Sequence, residues 1–446
     1  MSFLRTFFSP SSVALVGASP SEAKLGGVIM KNLLLFRGPV HPVSPKHAEI
    51  MGRTCFASPA ELPPVDLVFI IRPAADVPGI MRALKGRTGC CVVMSAGFAE
   101  SGGQALQDEV RTAAREAGIR FLGPNCMGIF RPAKKLDGLF LSHTRLKRPK
   151  SGRIGVISQS GAVLSCLLGA VREAGAGVSA AVGYGNAADI GEAELYDHFG
   201  SDRGTGVVVS YLESVGDGRR FLQAAERLVS RKPLLVLKAG KAESGRRAAF
   251  SHTGRLAGRY EVFRSLLRQS GIPEASDFDE LLDGAAALAV QKPSSGNRVC
   301  IVTNGGGAGV LAADECVRQG LAVVPLDQEQ KERLSKLFPP FYGIANPIDL
   351  TAQVQDEDYA SAVKALAQDF DGFLVIAIPN VSGITENLAN IVGRTCAEVR
   401  RPVVAHIASG GIASRLTGML RRNRIPVYPS PERAVRGLKF LLKKKD

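Results

Sequence analysis

The sequence predicts an α/β protein built from three doubly wound domains, each with a parallel sheet. One pattern occurs three times: an apolar, β-branched run, a loop rich in glycine or serine, and a segment of helical periodicity. The copies read SVALVGASPSEAKLGG, RIGVISQSGAVLSCLL and RVCIVTNGGGAGVLAADECVRQG. This order is typical of the first strand, loop and helix of an open parallel sheet. Other apolar runs, such as VDLVFII and GVVVSYLE, indicate strands covered on both faces.

Two interruptions divide this pattern along the chain. The stretch near residues 143–152, HTRLKRPKSG, is basic, and QKPSSGN at 291–297 combines proline, serine and glycine. Such composition is typical of linkers. We therefore predict domains at residues 1–147, 148–293 and 294–446, a number that suits a chain of 446 residues.

Composition argues against several classes of protein. Apolar residues make up 45% of the chain, yet no apolar run approaches the roughly 18 residues of a membrane span, so we expect a soluble, cytoplasmic protein. Eight cysteines without CxxC spacing indicate reduced thiols. The net charge of +15 favours an anionic ligand or partner, such as a phosphorylated cofactor, nucleic acid or an acidic partner chain. Nucleic acid is the weaker alternative, because no recognition helix or base-stacking platform is evident.

The first glycine loop is a candidate phosphate site. Gly17, Ala18 and Ser19 follow the first strand, where main-chain N–H groups and a helix amino terminus can meet a phosphate. The spacing matches neither G-x-G-x-x-G nor the P-loop, and glycines needed only for close packing explain it equally well. Lys46, after the second strand, adds a cation within possible reach of that phosphate.

Three further loops are expected at the same edge, because the carboxyl ends of parallel strands gather there. Their candidate residues are Arg72, Pro73, Ser95, Ala96, Gly97, Phe98, Asn125 and Cys126. The turn formed by Pro124, Asn125 and Cys126 offers amide groups to a carbonyl or a sulfur, although core filling is the better explanation of Cys126 itself. Arg72 can pair with an anionic substrate, bind a phosphate or simply cap its strand, and capping is the preferred interpretation.

The second domain offers a helix amino terminus to a phosphate. Ser158, Gln159, Ser160 and Gly161 stand where the second glycine loop enters its helix. The free N–H groups and partial positive charge of such a terminus favour an anion. An ordinary serine cap has the same sequence, so both interpretations stay open.

One histidine has an unusual setting. His252 lies in FSHTGRLAG among small hydroxylated residues and glycines, which leave its ring accessible, whereas the other histidines are assigned structural roles: His41, His47, His143, His198 and His406. A neutral imidazole is a good nucleophile toward phosphorus near pH 7. It needs a carboxylate to fix its tautomer, and Glu213, at the end of a strand, is the natural candidate.

Together these segments resemble the α subunit of nucleoside-diphosphate-forming acyl-CoA synthetases, relatives of succinyl-CoA ligase. In chain order the matching landmarks are FFSPSSVALVGAS, PVSPKHAEI, SAGFAE, GPNCMGI, ISQSGAV, YLESVGDGRRF, SHTGRLAG, NGGGAGVLAAD and NPIDLT. The resemblance implies a Rossmann-like domain that binds coenzyme A, followed by two flavodoxin-like domains of the succinyl-CoA-ligase type. The sequence departs from the family at Ser44, usually asparagine, and at Arg72, usually small and apolar.

The resemblance also implies roles for the candidate residues. Gly17, Ala18 and Ser19 would hold the CoA phosphates with help from Lys46. The pantetheine path would be lined by Ser95, Ala96, Gly97, Phe98, Asn125 and Cys126. His252 would carry the phosphate, with Glu213 as its hydrogen-bonding partner. The helix start from Ser158 to Gly161 would face the phosphorylated ring.

The reaction implied is reversible: acyl-CoA, nucleoside diphosphate and phosphate give free acid, CoA and nucleoside triphosphate through an acyl phosphate and phospho-His252. No segment resembles the ATP-grasp module that would hold ATP or ADP and Mg²⁺. A separate ATP-grasp β subunit is therefore the expected partner, in a heterodimer or heterotetramer. The alternatives are a non-catalytic CoA-binding regulatory or scaffold protein and, more weakly, a nicotinamide-dependent oxidoreductase.

Overall fold

The computed structural model describes residues 3–245, 247 and 259–443. The chain divides into two compact units, Met1–Ser276 and Asp277–Asp446. Each unit contains parallel sheet covered by helices, so the predicted α/β class is confirmed. No helix in this described part of the chain combines the length and apolar character that crossing a membrane requires.

The first sheet of the amino-terminal unit has five parallel strands. Its strands and the hairpin beside it are β1 (Val13–Val16), β2 (Val40–Val43), β3 (Glu49–Ile50), β4 (Arg53–Thr54), β5 (Leu67–Ile70), β6 (Cys90–Val93) and β7 (Arg120–Leu122). The accompanying helices are α1 (Leu4–Phe8), α2 (Leu25–Leu33), α3 (Val77–Ala83) and α4 (Gln104–Ala117). The strand order is β2-β1-β5-β6-β7. The chain therefore leaves β1 in one direction and returns on its other side at β5, which opens a crevice beyond their carboxyl ends.

The second sheet of this unit has six strands. They are β8 (Gly128–Arg131), β9 (Leu136–Asp137), β10 (Lys150–Ser158), β11 (Gly177–Gly183), β12 (Val207–Leu212) and β13 (Leu234–Lys238). Its helices include α5 (Gly161–Glu173), α6 (Glu192–Ser201), α7 (Gly218–Val229) and α8 (Tyr260–Gln269). The order is β13-β12-β10-β11-β8-β9, with β8 antiparallel to both of its neighbours. The chain thus enters this sheet at β8, before the basic linker near residues 143–152.

The carboxy-terminal unit is built on one more five-stranded parallel sheet. Its strands are β14 (Ser294–Ser295), β15 (Val299–Thr303), β16 (Ile348–Asp349), β17 (Gly372–Ala377), β18 (Val403–Ile407), β19 (Val427–Tyr428) and β20 (Leu442–Lys443). Its helices are α9 (Phe278–Val290), α10 (Gly306–Arg318), α11 (Gln328–Ser335), α12 (Asp356–Ala365), α13 (Leu388–Val399), α14 (Ala413–Arg422) and α15 (Pro431–Leu441). The main sheet has the order β16-β15-β17-β18-β19, and β14 pairs with β20 apart from it.

Helix α15 holds α9 and α10 through buried carboxylates. The pairs are Asp283 with Arg433 at 2.7 Å, Glu280 with Lys439 at 2.6 Å and Glu315 with Arg436 at 3.1 Å. The acidic side chains are at most 3% exposed. These ion pairs explain why α9, which precedes the linker at 291–297, belongs to the carboxy-terminal unit.

Candidate functional site

The loop after β1 packs too closely for a side chain at its first residue. Gly17 has a φ of 97°, and a Cβ there would lie 2.2 Å from the main-chain oxygen of Ile71. On α2, a Cβ at Gly26 would lie 2.0 Å from the oxygen of Gly17. The N–H groups of Gly17 and Ala18 both donate to the carbonyl of Val43, at 3.1 and 3.3 Å. The two glycines therefore allow the loop after β1 to pack closely against the end of β5 and the start of α2, and the two amides are already hydrogen-bonded.

Ser19 and Lys46 lie at the same edge of the first sheet. Ser19 is half-buried, and its hydroxyl accepts a hydrogen bond from the N–H of Ser21 at 3.1 Å. Lys46 is exposed in the loop after β2. Because β1 and β2 run parallel, both residues follow carboxyl ends that adjoin one another. A cation and a hydroxyl are thus available near the glycine loop.

Arg72 and Pro73 stand exposed where β5 ends. The Arg72 side chain is 43% exposed, and its guanidinium lies 2.7 Å from the carboxylate of Asp76. Its main-chain N–H donates to the hydroxyl of Ser95 at 3.1 Å. The guanidinium therefore faces solvent beside the crevice and is partly neutralised by a carboxylate of its own loop.

Glu100 fixes the loop that follows β6. One of its carboxylate oxygens accepts hydrogen bonds from the N–H groups of Gly97 and Phe98, at 2.7 and 3.2 Å. The other accepts from the amide of Asn186 at 2.5 Å, which joins this loop to the residues after β11. Burial alone would raise the pKa of Glu100, but the hydrogen bonds from Asn186, Gly97 and Phe98 lower it. Ala96 and Gly97 are exposed, whereas the Phe98 ring is fully buried in the core.

Asn125 and Cys126 differ in accessibility. Asn125 is half-buried with a left-handed φ of 55°, and its N–H donates to the carbonyl of Ser95 at 2.8 Å. Cys126 is buried, its Sγ lies 3.3 Å from the carbonyl of Val93, and burial raises the pKa of the thiol to about 12. The thiol is therefore protonated at neutral pH and fills the core.

The helix that follows β10 begins with a serine cap, one of the two interpretations that the sequence allowed. Ser160 is the N-cap of α5, and its hydroxyl accepts from the N–H of Val163 at 3.3 Å. The Ser158 hydroxyl donates to the carbonyl of Ser160 at 2.7 Å. Gly161, the first helical residue, is half-buried. A phosphate at this terminus stays a prediction.

Glu213 meets this helix start. The side-chain oxygen of Gln159 accepts hydrogen bonds from the N–H groups of Glu213 and Ser214, at 2.5 and 2.9 Å. Glu213 is 5% exposed. The pKa of Tyr211 is raised to about 12, mainly by burial and further by the negative charge of Glu213 and by a hydrogen bond with the Glu213 side chain. Because β10 and β12 are neighbours in the sheet, two candidates that lie over 50 positions apart in sequence share one small site.

Lys238 is part of this site and was missed by the sequence analysis. It ends β13 with 4% exposure, and its Nζ donates to the main-chain oxygen of Glu213 at 2.7 Å. Burial is the main cause that lowers the pKa of Lys238 to about 8. The detectable signal is a lysine that ends the otherwise apolar strand LLVLK. His252, the proposed phosphate carrier, lies outside the described residues.

Comparison with known proteins places these features in a family. Three family models match: a CoA-binding domain over residues 11–132, a succinyl-CoA ligase-like flavodoxin domain over 151–288 and a ligase-CoA domain over 299–441. The α subunit of the ADP-forming acetate–CoA ligase II of Pyrococcus furiosus is 36% identical, over 96% of this chain and 94% of that subunit. This chain belongs to the ADP-forming acetate–CoA ligase family.

Other members of this ligase family differ in length. The ADP-forming acetate–CoA ligase I of Archaeoglobus fulgidus is also 36% identical over 98% of this chain, which covers 63% of that enzyme. Among solved structures, the dinucleotide-forming acetyl-coenzyme A synthetase 1 of Ca. Korarchaeum cryptofilum, in complex with phosphate and ADP, matches with a TM-score of 0.90. It is 34% identical, and the match covers 98% of this chain and 96% of that one. The name "subunit alpha" given to the P. furiosus relative implies a partner subunit.

Proposed function

We propose that this chain is the α subunit of an ADP-forming acyl-CoA ligase and carries out the CoA and phosphohistidine half of the reaction. The observation that carries the proposal is the meeting of Glu213 with Gln159 at the amino end of α5. Glu213 is buried, and its main-chain N–H is bound by Gln159 just before the amino terminus of α5. This placement suits a histidine that becomes phosphorylated. The carboxylate stabilises the imidazolium that forms, while the helix terminus attracts the phosphate.

The proposed reaction has three steps. Phosphate attacks the carbonyl carbon of the acyl-CoA, the carbon–sulfur bond breaks, and CoA leaves as the acyl phosphate forms. A ring nitrogen of His252 then attacks the phosphorus, and the carboxylic acid leaves as its anion. Finally, the phosphoryl group passes from His252 to ADP, which yields ATP and restores the ring. All three steps are reversible, so the same chain serves acyl-CoA synthesis.

We assign CoA to the carboxyl edge of the first sheet. A Cβ at Gly17 would collide with the main-chain oxygen of Ile71, so glycine keeps the loop after β1 close to the end of β5. Ser19 and Lys46 would bind the phosphates, and the exposed residues Ala96 and Gly97 would line the pantetheine path. The buried side chains of Phe98 and Cys126 would support that path from within the core.

We assign the nucleotide to a partner. ATP or ADP and Mg²⁺ would bind an ATP-grasp β subunit in a heterodimer or heterotetramer, for which the "subunit alpha" name of the P. furiosus relative is the support. The net charge of +15 suits an acidic partner surface. The proposal leaves the acid open: acetate is named for the relatives, and this site gives no further selection among carboxylic acids.

The test uses the full chain with acetyl-CoA and [³²P]phosphate. We expect release of CoA together with an acid-labile, alkali-stable label on the protein. His252→Ala should abolish the label, whereas the control His143→Gln, at an exposed histidine away from the site, should retain it. Saturable CoA binding without any label on the wild-type chain would overturn the proposal and support a regulatory CoA-binding role.

A further inference from the structure

Lys238 is a buried amine at the carboxyl end of the second sheet. Its Nζ donates to the main-chain oxygens of Glu213, at 2.7 Å, and Ala239. Lys238 is the last residue of β13, and every residue of that strand is buried. Burial of an ammonium group is costly unless its protons are accepted. The two carbonyls satisfy part of that requirement and tie the amine to Glu213.

The backbone of Glu213 is held from both sides. Strand β12 lies between β10 and β13, so side chains at the ends of both neighbours can reach the residue after β12. Gln159 accepts the Glu213 N–H on one side, and Lys238 donates to the Glu213 carbonyl on the other. Fixing both main-chain groups of a residue fixes the direction of its Cα–Cβ bond. The Glu213 side chain therefore leaves the backbone in a defined direction.

We propose that Lys238 is a positioning residue for phosphoryl transfer: it holds the Glu213 carbonyl, so that the Glu213 carboxylate is directed toward the imidazole it supports, and it supplies a positive charge nearby. The inference rests on the proposed function, because that function gives Glu213 its role. The inference adds Lys238, a residue that the sequence analysis did not assign to the site. It also adds a second effect, which is the positive charge of the Lys238 ammonium group near a buried carboxylate.

The charges around Lys238 define when this effect is present. Burial and Lys241 disfavour its protonated form, whereas Glu213 and Glu274 favour it, and the resulting pKa is about 8. Lys241 itself pairs with Glu274 at 3.3 Å and donates to the carbonyl of Ser276 at 3.0 Å. The positive charge at Lys238 is therefore present at neutral pH and is lost as the pH rises through about 8.

The experiment measures the labelling rate of the full chain with acetyl-CoA and [³²P]phosphate between about pH 6 and 10. We expect Lys238→Met to lower the maximal rate about tenfold to a hundredfold and to change the apparent KM for acetyl-CoA by less than about twofold. Lys238→Arg should restore part of the rate and keep it at alkaline pH, where the wild-type rate falls. The matched control is Lys241→Met, which should label at the wild-type rate near neutral pH, where Lys238 is protonated in both proteins.

A double-mutant cycle separates positioning from general damage. The variant with both Lys238→Met and Glu213→Gln should be no slower than Glu213→Gln alone, because Lys238 is proposed to act through the carboxylate that Glu213→Gln removes. Additive losses, or a Lys238→Met variant that labels as fast as the wild type, would overturn the role of Lys238 while leaving the proposed function intact. A wild-type chain that takes up no label overturns the proposed function instead. If Lys238→Met loses its native circular dichroism spectrum, the pH profiles of the wild type and Lys238→Arg decide.

Discussion

At the scale of single residues, Gly17 shows how a backbone position prepares a site. Its φ of 97° and the 2.2 Å that would separate a Cβ from the Ile71 oxygen leave room for glycine alone. The same closeness brings the loop after β1, the end of β5 and the amino terminus of α2 together. The packing explanation of this glycine therefore holds, and the proposed phosphate role would depend on the same closeness.

We expect Gly17→Ala to lower the free energy of unfolding by about 2–4 kcal/mol, because it adds backbone strain and a collision. CoA affinity should fall with it. Gly118→Ala is the control. Gly118 has a φ of 71°, but no atom lies within 4 Å of the position of its Cβ, so this variant measures the cost of the backbone strain without a collision. Chemical denaturation and calorimetric titration with CoA measure both effects. Equal losses in the two variants would refute the collision.

A second residue, His198, makes the amino-terminal unit sensitive to acid. Its ring is 6% exposed and stacks on Phe8 at 4.4 Å, and burial is the main cause that lowers its pKa from 6.5 to about 4. Arg131 and Lys232 lower this pKa further, while Asp202 opposes them. Between pH 6.5 and about pH 4, His198 is therefore protonated in the unfolded chain but neutral in the folded chain. The stability that is present above pH 6.5 is lost as the pH falls toward 4.

The prediction is a loss of about 2 kcal/mol from this residue between about pH 7.5 and pH 5. His198→Leu has no group to titrate there, so its free energy of unfolding should fall less over the same interval. Urea denaturation of both proteins at the two pH values gives the difference. Identical pH dependence of wild type and variant would show that His198 is not buried in its neutral form.

At this scale, sequence reasoning named two residues that the structure brings into contact. Glu213 and Gln159 were predicted separately, from a strand end and a helix start, and parallel neighbours in one sheet bring them together. Lys238 and Glu100 were missed because each binds a group of a loop that is distant in sequence. Lys238 binds the main-chain oxygen of Glu213, and Glu100 binds the side-chain amide of Asn186. Such partners depend on which strands are adjacent, which a single sequence does not reveal.

At the scale of elements, local patterns predicted most of the architecture but not all of its long-range pairing. Each of the three strand–loop–helix starts occurs where it was predicted, at β1, β10 and β15. The antiparallel addition of β8 to the second sheet, between β11 and β9, has no local signature, because strands pair through their main chain. The position of α9 depends on partners about 150 residues away, namely the cations of α15.

The link between α9 and α15 gives a stability prediction. Arg433→Met leaves Asp283 buried without its partner and should lower the free energy of unfolding by about 3–5 kcal/mol at about pH 8. Burial already raises the pKa of Asp283 to about 6, so the carboxyl can take up a proton in acid and the loss should be smaller near pH 5.

Arg415→Met is the matched control for this prediction. Arg415 pairs with Glu386 at 2.7 Å, but its side chain is 70% exposed, so its loss should cost less than about 1 kcal/mol. Denaturation of both variants at the same two pH values provides the comparison. Equal, small losses in the two variants would mean that the Asp283 pair does not hold α9.

At the scale of the whole molecule, the proposed chemistry of CoA and phosphate lies at the carboxyl edges of two sheets. These sheets of the amino-terminal unit are joined by the hydrogen bond between Glu100 and Asn186. The loop assigned to pantetheine is thus linked to the sheet that carries Glu213. Family membership supports the overall reaction, whereas the role of each site residue depends on chemistry at His252.

Locating the phosphoryl group by mass spectrometry is therefore the most direct test. The full chain is incubated with acetyl-CoA and phosphate, digested at alkaline pH and sequenced by tandem mass spectrometry. We predict phosphate on a ring nitrogen of His252, less of it in the Glu213→Gln variant and none in the His252→Asn variant under the same exposure. Phosphate on Ser251 or Thr253, or an unmodified peptide from a chain that still cleaves acetyl-CoA, would contradict the proposed function.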